Sequence, residues 1–163
     1  MKALMLTDDQ IAEIWDEMIA AEVRGLYFGD LGARFTRRKQ IISGVSFFLS
    51  SGAAATIVAK SPSWIPVLLS TLTALVTAYS IAVGLDRKST TMAKLYSTWS
   101  QIESECRSLW NHWYEDNAET TFNEIQSRIR QASELAITDA PYDKELVSKW
   151  RTYVHQEHGL TPA

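Results

Sequence analysis

The sequence predicts an all-α membrane protein, in which a two-helix transmembrane hairpin has long helices that extend into a cytoplasmic helical bundle. Two uncharged apolar runs, residues 41–59 and 64–85, are flanked on their outer sides by basic residues. The rest of the chain shows apolar residues at helical spacing. Three parts follow: an N-terminal amphipathic helix with a basic juxtamembrane segment (1–40), the hairpin (41–85) and the cytoplasmic bundle (86–163).

The two apolar runs have the length that a bilayer requires. They contain 19 and 22 residues, which as helices would measure about 28 Å and about 33 Å at roughly 1.5 Å per residue. A hydrocarbon core of about 30 Å needs roughly 20 residues. A pair of buried core helices would need a larger soluble protein around them than the other residues can form. Between the runs, residues 60–63 form only a short loop, which contains Pro62.

The positions of Lys and Arg predict the orientation of this hairpin. Both residue types accumulate on the cytoplasmic side of membranes, and the loop carries Lys60 alone, so both termini are expected in the cytoplasm. The flanking cations could bind anionic lipid headgroups. In an oligomer they could instead form a ring that holds a phosphate-bearing ligand, with Tyr27, Phe28 and Phe35 available for base stacking. This basic cluster consists of Arg34, Arg37, Arg38, Lys39, Arg87 and Lys88.

Small and hydroxyl-bearing residues follow one face of the second run. Such residues let helices approach closely in lipid and bond across helices, which favours contact within the hairpin or in a small oligomer. Alternatively, the stripe lines a water-filled path when several hairpins assemble, because two helices cannot enclose a pore. Neither run contains an ionisable residue, which argues against a proton relay or voltage sensor. The candidate pore-lining residues are Ser70, Thr73, Thr77, Ser80 and Gly84.

The N-terminal segment carries a helix start signal. Thr7 and Gln10 have the spacing of a capping box, and an amphipathic helix behind them is expected to end near Gly25. Gly25, Gly29 and Gly32 are expected to break the chain. From about Leu31 a second helix is predicted to run into the first span.

Apolar residues after the second span alternate at spacings of three and four. This pattern predicts a helix–helix seam that serves assembly or gating. The seam consists of Met92, Leu95, Trp99, Ile102, Leu109 and Trp113, with Cys106 at the same spacing as a core residue. After a break at residues 115–117, a helix with Phe122, Ile125, Ile129 and Ala132 inward is predicted to end at residues 138–141. A last helix covers about residues 143–156, with Leu146, Trp150 and either Tyr153 or Val154 inward.

The sequence offers no constellation for catalysis, so a non-enzyme without a cofactor is predicted. His155 and His158 are three apart, but two ligands do not make a zinc site, and no metal is predicted. A net charge of -3 gives no reason to expect binding to bulk duplex nucleic acid.

The order of these elements resembles a known family. A short N-terminal helix, the segment GARFTRRKQ, two spans with a minimal loop and the helix LDRKSTTMAKLYSTWSQIESECRSLWNHW are similar to the SLATT group, the bacterial SMODS- and SLOG-associating two-transmembrane effectors. The resemblance covers about residues 7–135.

The resemblance implies a pore-forming effector of a nucleotide-linked antiphage defence system in the bacterial inner membrane. Its opening would permeabilise or depolarise the membrane and cause growth arrest or cell death. The chain is expected to form a homo-oligomer, taken here as a tetramer, in contact with membrane lipid. A nucleotidyltransferase, or its nucleotide or oligonucleotide product, would act as a separate partner. The alternative is a non-conducting, membrane-anchored scaffold that recruits a partner through its cytoplasmic helices.

Overall fold

Within the residues that the computed structural model describes (6–58, 62 and 64–160), the chain forms five α-helices and no strand. The all-α prediction is therefore confirmed. The chain divides into two compact units, a bundle unit (residues 1–31 and 91–163) and a hairpin unit (residues 32–90). The helices are α1 (Asp8–Val58), α2 (Trp64–Val83), α3 (Leu85–Asn111), α4 (Ala118–Asp139) and α5 (Lys144–Glu157).

The capping box at the start of α1 is confirmed. The Gln10 amide donates to the Thr7 hydroxyl oxygen at 3.3 Å, and the Thr7 amide donates to Gln10 Oε1 at 2.9 Å. Each side chain thus satisfies a backbone N–H group that the first turn of a helix leaves without a partner.

The expected break at the three glycines is wrong, because α1 continues without interruption from Asp8 to Val58. Two of the glycines instead face α3 in the bundle unit. A Cβ atom on Gly29 would lie 3.2 Å from the Tyr96 ring, closer than usual, whereas one on Gly25 would lie at an ordinary 3.8 Å from the Ser100 backbone nitrogen. Gly29 therefore lets the Tyr96 ring of α3 approach α1 closely, at the modest conformational cost of a glycine within a helix.

The core of the bundle unit lies among α3, α4, α5 and the first part of α1. Its largest fully buried side chains include Trp99, Ile14, Met92, Leu95 and Val154. The predicted inward residues of α4, which are Phe122, Ile125, Ile129 and Ala132, are buried as expected.

The predicted boundaries of the last helices are close to those observed. The break after α3 begins at residue 112, three residues before the predicted one, and α4 ends at Asp139. Asp143 caps α5, since its side chain accepts a hydrogen bond from the Leu146 amide at 3.1 Å. Leu146 and Val154 are buried, whereas Tyr153, the other inward candidate, is 50% exposed.

In the hairpin unit, residues 32–58 of α1 lie beside α2 and the start of α3. A Cβ atom on Gly52 would meet the Leu69 side chain at 3.8 Å. At the other end of the unit, the Thr36 and Ser89 hydroxyl groups share a hydrogen bond of 2.9 Å. Residues 59–61 and 63, which include the loop charge Lys60, lie outside the described residues.

Gly84 separates α2 from α3. Its φ of 62° lies in the left-handed region, which glycine adopts without the steric cost that a Cβ atom imposes. The Gly84 amide donates to the Ile81 carbonyl, and the Gly84 carbonyl accepts from the Lys88 amide, both at 3.0 Å. Gly84, a candidate pore-lining residue, lies at the joint between these two helices.

Candidate functional site

Counted together across Gly84, α2 and α3 form one helical segment, Trp64–Asn111. Among the described residues, this segment is long and apolar enough to cross a membrane. It contains the second predicted span, and no part of its apolar stretch of 18 residues is buried. The core helix of a soluble protein would be mostly buried, so the exposure of this segment argues against that explanation. By length and hydropathy, no further helix in the described ranges qualifies as a membrane span. Ala59, the last residue of the first predicted span, lies outside these ranges.

Large apolar side chains cover the outer surface of both helices in the hairpin unit. On α1, Phe47 is 75% exposed and Phe48 is 77% exposed, and on α2, Ile81 is 75% exposed. Burying apolar surface is worth about 25 cal/mol per Å², and soluble proteins rarely expose continuous apolar patches of this kind. The hairpin unit therefore presents a surface suited to an apolar environment.

The structure divides the candidate pore-lining residues into two sets. Thr73, Ser80 and Gly84 are half-buried, whereas Ser70 and Thr77 are exposed. The half-buried positions of α2 also include Leu69, the side chain nearest to Gly52 of α1. One edge of the stripe therefore lies against α1, and the other edge lies on the outer surface.

The hydroxyl groups on α2 also bond to their own helix. Ser70 donates to the Val67 carbonyl at 2.9 Å, and Thr73 donates to the Leu69 carbonyl at 2.9 Å. Such bonds satisfy a hydroxyl without a partner from another helix. They leave the hydroxyl oxygens able to accept hydrogen bonds from water or from a neighbouring copy.

The two halves of the basic cluster meet at one end of the hairpin unit. Lys39 of α1 forms an ion pair with Asp86 of α3, with Nζ and Oδ1 2.5 Å apart, next to the bond between Thr36 and Ser89. Arg34, Arg37, Arg38 and Arg87 are exposed, and Lys88 is half-buried. The Asp86 carboxylate therefore offsets the charge of Lys39 at this end of the unit.

Tyr27 and Phe28 do not serve as stacking partners for a base. Their side chains are 6% and 5% exposed, and their rings contact each other edge to face with centroids 5.0 Å apart. Both belong to the core of the bundle unit, so the suggestion that they stack on a nucleotide is wrong.

The heptad seam of α3 lies in the interior of a single chain. Met92, Leu95, Trp99, Ile102, Cys106 and Leu109 are each at most 5% exposed. Side chains buried in this way are not available for contact between copies in this conformation, and the gating role of the seam stays a prediction. Trp113 lies in the turn after α3 and is 38% exposed, because the helix ends at Asn111 before the seven-residue pattern is complete.

Burial determines the chemistry of Cys106. Burial, together with the nearby carboxylates of Glu17, Glu105 and Glu103, raises the pKa of the thiol from 9.0 to about 12. A thiol with so high a pKa is a poor nucleophile, because the thiolate is the reactive form.

The two C-terminal histidines have separate surroundings. His158 Nε2 lies 2.9 Å from Glu22 Oε2, with its ring edge to face with that of Trp15, whereas His155 lines a cavity between α1 and α5. Over the parts of the chain that the structure describes, no group of three His, Cys, Asp or Glu residues is placed to hold a metal ion.

The sequence did not predict that cavity. Its α5 residues Val147, Arg151 and His155 are four apart and share one face of the helix. The spacing was visible in the sequence, but nothing there indicated that α1 packs opposite.

Comparison with known proteins identifies no relative of this chain. No family model, no curated protein and no solved structure matches it.

Proposed function

We propose that the chain is a two-pass membrane protein whose hairpin, residues 41–85, assembles with other copies into a pore in a bacterial inner membrane. The observation that carries this proposal is the exposure of large apolar side chains on both helices of the hairpin unit. In water this surface would be costly, whereas in lipid it is the expected exterior of a spanning segment.

The basic cluster supports a hairpin orientation with both termini in the cytoplasm. Its members on α1 and α3 share one end of the hairpin unit, where Lys39 pairs with Asp86, and cations at that end fit the inner side of a membrane. Their exposed guanidinium groups would contact anionic lipid headgroups there.

The exposed part of the hydroxyl stripe supports the pore. Ser70 and Thr77 lie outside the contact between α1 and α2, so a neighbouring copy or a water-filled path can reach them. In this proposal the assembly conducts ions weakly selectively through a wall of hydroxyl groups. Assembly rests on the hairpin surface, since the seam of α3 is buried within each copy.

The biological setting follows from the resemblance to the SLATT group. In that setting the pore is an effector of antiphage defence, and a nucleotidyltransferase or its product controls its opening. A ligand can shift such a gate only if it binds the open and closed states with different affinity.

Paired substitutions test the pore. Thr77→Leu removes an exposed hydroxyl from the stripe, whereas Thr71→Leu makes the same change on another exposed part of α2, where Thr71 lies among Trp64, Leu68 and Leu75. Ion flux would be measured with the full-length protein in lipid vesicles. We expect Thr77→Leu to reduce the flux severalfold and Thr71→Leu to leave it unchanged, with the same oligomer size for both. Equal flux in the unmodified protein and both variants would show that Thr77 does not line the pore, and no flux above that of protein-free vesicles would contradict the pore itself.

Accessibility of introduced thiols tests the topology independently. In a Cys106→Ala background, Pro62→Cys marks the loop and Asn123→Cys marks α4. We expect a membrane-impermeant maleimide to label these two positions from opposite sides of oriented vesicles. Labelling of both from the same side would show that the hairpin does not cross the bilayer.

A second candidate function is a scaffold that anchors the bundle to the membrane and conducts nothing. It is favoured by the half-buried state of Thr73 and Ser80, because hydroxyls that serve contact within one hairpin need not line a pore. A scaffold would pass the topology test and give no ion flux above that of protein-free vesicles.

A further inference from the structure

A cavity of about 350 Å³ lies between α1 and α5 in the bundle unit. Its size falls within the range of small-molecule sites, which measure about 300–1,000 Å³. Apolar side chains, including Ile19, Val23 and Val147, form much of its lining, and Arg24, Arg151 and His155 supply polar groups. Apolar walls with a few convergent polar groups are the usual composition of a ligand site.

Arg24 is held in place without using all of its hydrogen-bond donors. Its guanidinium carbon lies 4.5 Å from the centre of the Trp99 ring, an arrangement that attracts a cation to the ring face. Its Nη1 atom is buried and makes no hydrogen bond with the described residues. This buried atom forms an ion pair with the Glu17 carboxylate at 3.8 Å, which is too long for a hydrogen bond, while 42% of the Arg24 side chain stays exposed.

Arg151 brings a second guanidinium group to the same cavity from α5. It is exposed, and it forms no salt bridge with any residue in the described ranges. His155 follows one turn later on the same face of the helix. A guanidinium group matches the geometry of a phosphate and can donate two parallel hydrogen bonds to it.

We infer that this cavity binds a small phosphorylated molecule with an apolar body. The phosphate is held by Arg24 and Arg151, and the apolar body lies against Ile19, Val23 and Val147. Asp16 also lines the cavity, and its negative charge opposes the binding of an anion. The inference goes beyond the proposed pore and does not depend on it, since binding requires only the bundle unit of the intact chain.

Phenyl phosphate is a suitable probe, because it combines one phosphate with one apolar ring. Its binding to the full-length protein in detergent would be measured by titration calorimetry, next to inorganic phosphate and phenol. We expect phenyl phosphate to bind at least about tenfold more tightly than either fragment, because only it uses both the guanidinium groups and the apolar wall.

Two charge-neutralising substitutions are expected to act in opposite directions. Arg151→Gln removes a donor and should weaken the binding of phenyl phosphate roughly tenfold or more, whereas Asp16→Asn removes repulsion and should strengthen it severalfold. Arg130→Gln is the matched control, because Arg130 is exposed on α4 and does not line the cavity. The thermal midpoint of each variant reports whether the fold is retained.

The inference fails if phenyl phosphate does not bind at millimolar concentration, or if it binds no more tightly than inorganic phosphate. It also fails if Arg151→Gln and Arg130→Gln weaken binding equally, because the attraction would then depend on net charge alone. None of these measurements involves conductance, so a failure here leaves the pore proposal untouched.

Discussion

The Tyr27 hydroxyl donates a hydrogen bond to the Pro141 carbonyl oxygen, 2.5 Å away, and accepts one from the Asp143 amide at 3.1 Å. These residues are more than 110 positions apart in the chain. Through this hydroxyl, α1 holds the turn between α4 and α5 and, with it, the residue that caps α5.

Tyr27→Phe should loosen the turn between α4 and α5. It leaves the Pro141 carbonyl and the Asp143 amide without this partner in a partly buried place, which costs about 1–3 kcal/mol. We expect a lower thermal midpoint and faster hydrogen exchange at the Asp143 amide. Tyr142→Phe is the control, since Tyr142 is 79% exposed. Equal exchange in the two variants would contradict a role for the Tyr27 hydroxyl.

Gly29→Ala should leave the bundle unit less stable than Gly25→Ala does. A Cβ atom at Gly29 would lie 3.2 Å from the Tyr96 ring, but one at Gly25 would have ordinary contacts at 3.8 Å. Overpacking costs about 1–3 kcal/mol, and replacing glycine within a helix returns about 0.5–1 kcal/mol.

The measurement for the glycine pair is chemical denaturation of the full-length protein in detergent. In a Tyr96→Ala background the penalty for Gly29→Ala should disappear, because no ring is left to be displaced. A penalty that persists in that background would show that some other contact limits this position.

Gly84→Ala should destabilise the joint between α2 and α3. The φ of Gly84 is 62°, and no atom lies within 4 Å of the position that a Cβ would take. The cost is therefore conformational, about 1–2 kcal/mol for an alanine in the left-handed region. Gly84→Asn should cost less, since asparagine visits that region more readily. Equal thermal midpoints for all three proteins would show that the joint tolerates a right-handed conformation.

The pKa of Cys106 predicts how stability changes in alkaline solution. Burial raises the pKa of this thiol from 9.0 to about 12, so the folded state holds the proton more tightly than the unfolded state does. The resulting stabilisation is complete below pH 9 and is lost as the pH rises towards 12. Cys106→Ala should show a smaller loss of stability over this interval, measured by denaturation at each pH. Identical pH dependence for the two proteins would contradict a buried neutral thiol.

The sequence predicted features that depend on neighbouring residues along the chain. The capping box of Thr7 and Gln10 and the end of α4 near Pro141 were found because their signals are local. The burial of Met92 through Leu109 followed from helical periodicity.

Features that depend on distant partners were missed or misassigned. From its local sequence, Gly29 is expected to break a helix. Its packing role depends on the Tyr96 ring of α3, which the local sequence does not reveal. Periodicity placed Thr73 and Thr77 on one stripe, but only the position of α1 determines which of them is exposed. The cavity was missed for the same reason, since Arg24 and Arg151 line one cavity only after α1 and α5 pack together.

The left-handed Gly84 has an electrostatic consequence. It ends one series of aligned peptide dipoles and starts another, so the end of α2 carries about −0.5 elementary charge and the start of α3 about +0.5. Asp86 occupies the first turn of α3, where a carboxylate offsets the positive end, and Arg87 and Lys88 bring cations to the region in which α2 terminates. Partial charges of the backbone are thus offset by charged side chains at the end of the apolar segment.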